Sequence, residues 1–265
     1  MNTRIHQGTA LVTGASSGIG AVYADRLANA GYDLILVARR ADKLRSLATD
    51  LTNRTGRSVE TLPADLTRPE DLARVEEVLR RDASITLLVN NAGVGATAPL
   101  LQSSVEDMDR MITLNVSVLT RLAYAVAPAF VARGQGTIVN IASVVAIAPE
   151  LLNGVYGGSK AFVLAFSQSL QHELGDKGVR VQAVLPGATA TDFWDIAGTP
   201  ISHLPQEIVM SAQDLVDAAL SGLAQGELVT IPALPDVAEW EAFERARKAM
   251  AHGLSRTTPA SRYIG

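Results

Sequence analysis

A short apolar run at 9–12 leads directly into the glycine-rich stretch T-G-A-S-S-G-I-G, and a segment with helical apolar spacing follows it. In the order strand, glycine loop and helix, the loop lets the backbone approach a pyrophosphate, and the helix N-terminus offers N–H groups to it. An ordinary glycine turn is the alternative interpretation. The spacing is G-x-x-x-G-x-G, which differs from the common G-x-G-x-x-G and is set by Gly14, Gly18 and Gly20.

The same alternation of apolar strands and amphipathic helices continues along the chain and predicts an α/β fold, a Rossmann-like doubly wound parallel sheet with helices on both faces. The predicted strands are 9–12, 33–38, 58–62, 85–89, 136–142, 178–185 and 228–231. The predicted helices include a long one at 105–131 and others at 42–53, 212–224 and 237–250. We expect one domain over 1–265, with an irregular, lid-like substrate loop at 192–210 and a C-terminal helix and tail at 237–265.

Composition narrows the classes of function. A net charge of −4 gives no reason to expect nucleic acid or an anionic membrane as a partner. Without cysteine the chain has no disulfide and no thiolate catalysis, and its four histidines lack the spacing of metal ligands, so we predict no metal site. The N-terminus lacks the apolar run of a signal peptide and no apolar stretch reaches about 20 residues, so we expect a cytoplasmic protein outside the membrane.

Tyr156 and Lys160 lie one helical turn apart in the stretch N-G-V-Y-G-G-S-K, which places both on one helix face. A nearby ammonium lowers the pKa of a phenol from its usual value of about 10, so Tyr156 can serve as a general acid–base. By itself this spacing also occurs by chance in amphipathic helices. Ser143 strengthens the catalytic interpretation, because it ends the predicted strand at 136–142 and can donate to a substrate carbonyl.

Two arginines, Arg39 and Arg40, follow the predicted strand at 33–38. An NAD-binding unit usually carries an acidic residue near this point to bind the ribose 2′-hydroxyl, but here the strand ends at Ala38. Guanidinium groups bind a 2′-phosphate well, so the pair favours NADP(H) over NAD(H). A solvated arginine pair is the alternative.

Two further polar residues have open interpretations. Asp65 follows the strand at 58–62 and either accepts from an adenine amino group or caps the helix near Pro69, a role for which Thr67 suits better. Asn115 lies inside the predicted helix at 105–131, where asparagine is unfavourable. It is either exposed, or buried with its amide bonded to main chain or to a water.

Taken together, these motifs resemble the short-chain dehydrogenase/reductase family, in an NADP-preferring form. The resemblance rests on T-G-A-S-S-G-I-G, N-N-A-G, Asn115, Ser143, Y-G-G-S-K and P-G-A-T-A-T, which occur in the family's order between residues 13 and 191. It implies a seven-stranded sheet in the order 3-2-1-4-5-6-7. Similar proteins form dimers or tetramers, so the resemblance also implies a homodimer or homotetramer.

The resemblance assigns roles residue by residue. Ser143 would orient the carbonyl, Tyr156 would transfer the proton, Lys160 would lower the tyrosine pKa and bind the nicotinamide ribose, and Asn115 would hold a water linked to Lys160. Arg39 would lie at the 2′-phosphate, and Asp65, Asn91 and Thr191 would contact the adenine, the ribose and the carboxamide. The full set of cofactor contacts that we expect adds Tyr156 and Lys160 themselves to Gly14, Ser16, Ser17, Gly18, Ile19, Gly20, Arg39, Arg40, Asp65, Leu66, Asn91, Ala92, Gly93, Pro186, Gly187, Thr189 and Thr191.

The function expected from these residues is hydride transfer between NADP(H) and a small ketone, aldehyde or secondary alcohol. Candidate walls of an apolar substrate pocket are Leu151, Leu152, Phe193 and Trp194, for which core packing is the alternative. A different class of function is an NADP-binding sensor or scaffold with little turnover. Such a protein needs the glycine loop but not the Tyr156, Lys160 and Ser143 set.

Overall fold

A seven-stranded parallel sheet forms the centre of the computed structural model, which describes residues 7–264. The sheet strands are β1 Thr9–Thr13, β2 Asp33–Ala38, β3 Val59–Pro63, β4 Ile85–Asn90, β5 Gly136–Ile141, β6 Val179–Val184 and β9 Val229–Thr230. Their order in the sheet is β3-β2-β1-β4-β5-β6-β9, which confirms the predicted order, since two short strands precede the last one along the chain. The two short strands, β7 Thr189–Ala190 and β8 Met210–Ser211, pair with each other in a separate ladder.

Helices cover both faces of this sheet, as predicted. The α-helices of the first 232 residues are α1 Gly18–Asn29, α2 Ala41–Thr55, α3 Pro69–Arg81, α4 Val105–Ile112, α5 Leu119–Arg133, α6 Gly154–Leu174, α7 Phe193–Ala197 and α8 Ala212–Gln225, and the segment that follows contains α9 Val237–Ala249. The central strands β1 and β4 are buried along almost their whole length and are mostly apolar, because both of their faces are covered. Tyr23 of α1, Leu44 of α2 and Val216 of α8 pack on one face. Val75 of α3, Phe130 of α5 and Leu170 of α6 pack on the other.

The helix predicted at 105–131 is interrupted. A π-helical segment, Thr113–Val118, separates α4 from α5 and contains Asn115, whose side chain is 2% exposed. Single π turns accommodate a residue whose side chain has to leave the helical pattern, and they are frequent at functional sites. The sequence showed that asparagine is a poor residue for a helix interior, but not how the backbone adapts to it.

The segment Val105–Arg133 is also the one stretch among the described residues that is long and apolar enough to cross a membrane by length and composition. Its apolar residues include Leu122, Val126 and Phe130, which are fully buried against the sheet. Here the segment serves as a core helix of the α/β fold.

Two further regions refine the prediction. The loop expected at 192–210 contains the five-residue helix α7 and two 3₁₀ turns, Ile201–His203 and Gln206–Ile208. The chain separates into two compact units, one ending at Pro232 and the other starting at Ala233. The second unit holds α9 and the polar tail, and the single-domain expectation stays a prediction.

Candidate active site

The glycine loop between β1 and α1 has a backbone that only glycine adopts easily. Gly14 has φ +65° and Gly18 has φ +55°, both in the left-handed region. A Cβ at Gly20 would lie 2.5 Å from Asn91 Nδ2 and would clash with the Gly14 carbonyl oxygen. At its three glycine positions the loop thus leaves the backbone bare at the N-terminus of α1, and this cradle fits a pyrophosphate.

The end of β4 holds this cradle in shape. Asn91 Nδ2 donates to the carbonyl oxygens of Thr13, at 2.8 Å, and of Gly14, at 3.2 Å. The Thr13 hydroxyl oxygen accepts from the N–H groups of Asn91 and Ala92, both at 3.0 Å. The Asn91 amide nitrogen, for which the resemblance implies a ribose contact, therefore bonds the glycine loop in this structure.

The two arginines after β2 lie in different surroundings. Arg40 Nη2 donates to the Ser17 hydroxyl at 3.0 Å and to the Ser16 hydroxyl at 3.4 Å, which places its guanidinium on the glycine loop. Arg39 is exposed, and its side chain makes no hydrogen bond or ion pair to residues 7–264. The arrangement gives a cation beside two hydroxyl groups, which is a suitable donor set for a phosphate.

Asp65 neither caps a helix nor lies free. Its Oδ1 accepts from the backbone N–H of Thr67 at 3.0 Å and from the Thr67 hydroxyl at 2.7 Å, which closes a turn after β3. The residue at the N-cap of α3 is Arg68, followed by Pro69, so the suggestion that Asp65 or Thr67 caps this helix is wrong. The side chain of Leu66 is buried in the core beneath the turn.

Tyr156 is positioned by the start of α6 and by the loop after β5. Its side chain is 6% exposed, and the Ser143 side chain lies close enough to its hydroxyl to affect the pKa of the phenol. Ser143 Oγ donates to the Pro186 carbonyl oxygen at 3.3 Å. Burial raises the pKa of Tyr156 to about 12, and the Ser143 side chain opposes part of that rise.

The Lys160 side chain is buried, and its ammonium group lies at the end of β5. Nζ donates to the Ile141 carbonyl oxygen at 2.8 Å and lies 5.8 Å from the centre of the Tyr156 ring. Burial lowers the pKa of Lys160 to about 8. Burial is the largest influence on the tyrosine pKa in this structure, and the lowering of that pKa by Lys160 stays a prediction.

Of the two interpretations of Asn115, the structure agrees with the buried one: its side-chain amide is hydrogen-bonded to main chain. Its Oδ1 accepts from Val94 N at 3.0 Å, and its Nδ2 donates to Val94 O at 2.8 Å and to Ser159 Oγ at 3.1 Å. Gly93 lies between this amide and the lysine, since a Cβ there would be 3.1 Å from Asn115 Oδ1 and 3.6 Å from Lys160 Nζ. Asn115 thus fixes the chain that follows β4 beside α6.

Two positioning residues were missed by sequence reasoning. Asn153 caps α6, accepting from Val155 N at 2.9 Å and Tyr156 N at 3.3 Å, while its Nδ2 donates to Ala98 O at 2.7 Å. An asparagine directly before a helix is a readable cap signal. Asn140 of β5 donates to Ser167 of α6 at 2.9 Å inside the core, and no sequence pattern marks that pair.

The chain after β6 returns to the glycine loop. Its polar groups largely bond one another: the Thr189 hydroxyl donates to Gly187 O at 3.1 Å, and the Thr191 hydroxyl accepts from Phe193 N at 3.4 Å. A Cβ at Gly18 would lie 3.1 Å from Thr191 Cγ2. Pro186, Gly187, Thr189 and Thr191 therefore border the same edge as the glycine cradle, at the carboxyl end of the sheet.

An apolar cluster borders Tyr156 on its other side. Met111, Val145 and Tyr156 form its buried part, with the half-buried Leu152 and Phe193 packed against them. The ring centres of Phe193 and Tyr156 are 5.7 Å apart.

The other two candidate walls differ from these. Leu151 is 61% exposed, whereas Trp194 is buried, donates from Nε1 to Thr189 O at 3.0 Å and packs edge-on against Phe193. Met111 and Val145 are members of the cluster that sequence reasoning missed, because apolar residues in helices and turns carry no distinguishing pattern.

Comparison with known proteins agrees with this geometry. Residues 8–199 match the family model described as short chain dehydrogenase. The chain is similar to a short-chain dehydrogenase from Sphingobium yanoikuyae solved in complex with NADPH, at 52% identity and a TM-score of 0.94, covering 97% of this chain and 99% of that one. It is also similar to the bulky-bulky ketone specific alcohol dehydrogenase from Comamonas testosteroni, at 45% identity and a TM-score of 0.91, covering 98% and 100%. Serine 3-dehydrogenase of Agrobacterium fabrum is 37% identical over 190 residues, 70% of this chain and 74% of that protein.

Proposed function

Because the chain belongs to the short-chain dehydrogenase family, whose members are oxidoreductases, we propose that it is an NADP(H)-dependent reductase of ketones. The observation that carries the proposal is the meeting of Tyr156, Ser143 and Lys160 at the carboxyl edge of the sheet, which also bears the glycine cradle. A scaffold that only binds a nucleotide needs the cradle but has no use for a buried tyrosine, serine and lysine set.

Each residue has a chemical role in this proposal. When bound, a reduced nicotinamide supplies the hydride. Ser143 Oγ donates a hydrogen bond to the substrate oxygen, and Tyr156 Oη gives that oxygen its proton. The Lys160 ammonium stabilises the phenolate that remains, and Asn115 keeps the chain after β4 in place beside them.

The preference for NADP(H) follows from the glycine loop and its arginine. Arg40 lies against Ser16 and Ser17, and Ala38 stands where an acidic residue would repel a 2′-phosphate. The similar Sphingobium yanoikuyae protein was solved with NADPH. We propose that Arg40 binds the 2′-phosphate directly, with the exposed Arg39 contributing from solvent.

The apolar cluster around Tyr156 favours a substrate with apolar groups on the carbonyl. The side chains that pack around Tyr156 in this cluster are uncharged; they include Met111, Val145, Leu152 and Phe193. The similar Comamonas testosteroni enzyme is specific for bulky-bulky ketones. We therefore propose ketones with aryl or branched alkyl groups as the substrate class, and a homodimer or homotetramer in the cytoplasm as the working form.

The test is the loss of reduced-nicotinamide absorbance over a panel of aryl, alkyl and hydroxylated ketones, run with NADPH and NADH in parallel. We expect turnover with NADPH to exceed turnover with NADH, and aryl ketones to exceed hydroxylated ones. Tight NADPH binding without turnover on any ketone would contradict the reductase proposal and favour the sensor.

A further inference from the structure

Two loops that are distant in sequence meet over Tyr156. The first follows β4 and the second contains α7. Thr97 joins them, because its backbone N–H and its hydroxyl both donate to the Ala197 carbonyl oxygen, at 3.1 and 2.9 Å. The Thr199 hydroxyl adds a hydrogen bond to Thr97 Oγ1 at 2.9 Å. These three hydrogen bonds, which we call the clasp, join the C-terminal end of α7 to the loop after β4.

The clasp places the first residue of α7 against a glycine. A Cβ at Gly95 would lie 2.7 Å from Phe193 Cε2 and closer still to Cζ, so the Phe193 ring is seated on the bare Gly95 backbone. Gly95 is not among the glycines with positive φ in the described chain. Its missing side chain therefore matters for space and not for backbone conformation.

The contact with Gly95 also places the Phe193 ring beside Tyr156. Phe193 lies between Gly95 and Tyr156, at 5.7 Å from the tyrosine ring centre. Trp194 packs edge-on against it, with ring centres 5.6 Å apart, and is itself fixed by its bond to Thr189 O. The Phe193 ring is thus held by Gly95 and Trp194 in a position beside the Tyr156 ring.

We propose that Phe193 is a specificity-determining residue that limits the size of one substituent on the substrate carbonyl, and that Gly95 is the seat that lets its ring lie clear of that substituent. This inference rests on the proposed ketone reductase function. A ring fixed beside Tyr156 excludes volume next to the carbonyl oxygen's proton donor, so it discriminates among ketones by size.

A double-mutant cycle tests the seat and the size limit together. The variants are Gly95→Ala, Phe193→Ala and the double variant, with acetophenone and benzophenone as the smaller and larger probes. In Phe193→Ala we expect the ratio of kcat/KM for benzophenone over acetophenone to rise about tenfold. Gly95→Ala should lower kcat/KM for benzophenone about tenfold when Phe193 is present, and leave it unchanged when residue 193 is alanine.

Ile196→Ala is the matched control, because Ile196 lies on the same short helix and is 67% exposed. It should leave the ketone ratio unchanged. The thermal midpoint provides a readout without turnover: Gly95→Ala should lower it only in the background that keeps Phe193.

Three outcomes separate the inference from the function on which it rests. An unchanged ketone ratio in Phe193→Ala would overturn the size limit. An equal effect of Gly95→Ala in both backgrounds would overturn the seat. Failure of the unmodified protein to reduce either ketone would contradict the proposed function itself, and the size limit would fall with it, while the thermal midpoints would still report on the seat.

Discussion

The cofactor side and the substrate side of the candidate site lie on the same edge of the sheet, yet they are built differently. The glycine loop depends on backbone conformations that one residue type adopts, at Gly14 and Gly18. The loops over Tyr156 depend on ordinary residues, Thr97 and Ala197, that are 100 positions apart in the chain. The cofactor side depends on the backbone conformations of neighbouring residues, and the substrate side depends on contacts between residues that are distant in sequence.

This difference teaches which property each side can vary. Because a Cβ at Gly20 would clash with its surroundings, we expect the glycine cradle to tolerate few substitutions, which suits a site that binds one cofactor. The substrate side is made of a five-residue helix and side-chain contacts, which can be altered without disturbing the sheet. Variants on the two sides should therefore separate binding of the cofactor from the chemistry and the choice of substrate.

The sharpest separation is expected from Tyr156→Phe. Loss of the proton donor should lower kcat for ketone reduction by about 10²–10⁴-fold. NADPH affinity, measured by fluorescence titration, should stay within about twofold, because the cradle lies on the other side of the site. Tyr124→Phe is the control, since Tyr124 is 69% exposed on α5. An unchanged kcat in Tyr156→Phe would contradict the catalytic assignment.

Lys160 connects the two sides, and its burial makes folding pH-dependent. Its pKa is lowered from 10.5 to about 8 in the folded state, so between these values the unfolded chain binds more protons and stability rises with pH. The shift corresponds to a rise of about 3 kcal/mol in the free energy of unfolding, and Lys160→Met should abolish it.

Urea unfolding from pH 7.5 to 10 measures this difference. The upper limit avoids Tyr156, whose raised pKa acts in the opposite direction: above pH 10 its folded form keeps a proton that the unfolded chain loses, so stability falls. Parallel pH curves for the unmodified protein and Lys160→Met would show that the lysine is not desolvated as described.

On the cofactor side, Gly20→Ala should weaken NADPH binding about ten- to hundredfold. The new Cβ would press on the Gly14 carbonyl oxygen and on Asn91 Nδ2, and overpacking against backbone costs about 1–3 kcal/mol. Gly158→Ala is the matched control, because a Cβ there would meet no atom of residues 7–264 within 4 Å. Its NADPH affinity should be unchanged and its helix slightly stabilised. Equal affinities for both variants would count against the cradle.

The smallest effect distinguishes the two arginines. Arg40→Ala should weaken NADPH binding about tenfold and leave NADH binding unchanged, since a charged hydrogen bond to phosphate is lost only with NADPH. Arg39→Ala should change the NADPH affinity less, because its side chain lies in solvent. Titration of both cofactors with each variant measures this, and equal weakening of NADPH and NADH would remove the assignment of the 2′-phosphate to Arg40.

Sequence reasoning reached furthest where a residue type has few uses. The sheet order, the glycine loop, and the positions of Ser143 and Lys160 beside Tyr156 all agree with the structure. It was wrong where a polar residue had several possible partners. Asp65 bonds Thr67 in a turn after β3, and neither of them is the N-cap of α3. Local pattern cannot choose between partners when each is chemically suitable.

The sequence by itself determined the doubly wound sheet and the glycine cradle, because hydrophobic periodicity and the φ angles open to glycine are properties of neighbouring residues. Only the tertiary structure decided that Asn115 bonds Val94 through a π turn and that Phe193 lies on Gly95. It also decided that burial raises the Tyr156 pKa while lowering that of Lys160. These features depend on which distant segments pack together and on the loss of water between them. Neither property can be predicted from a short stretch of neighbouring residues.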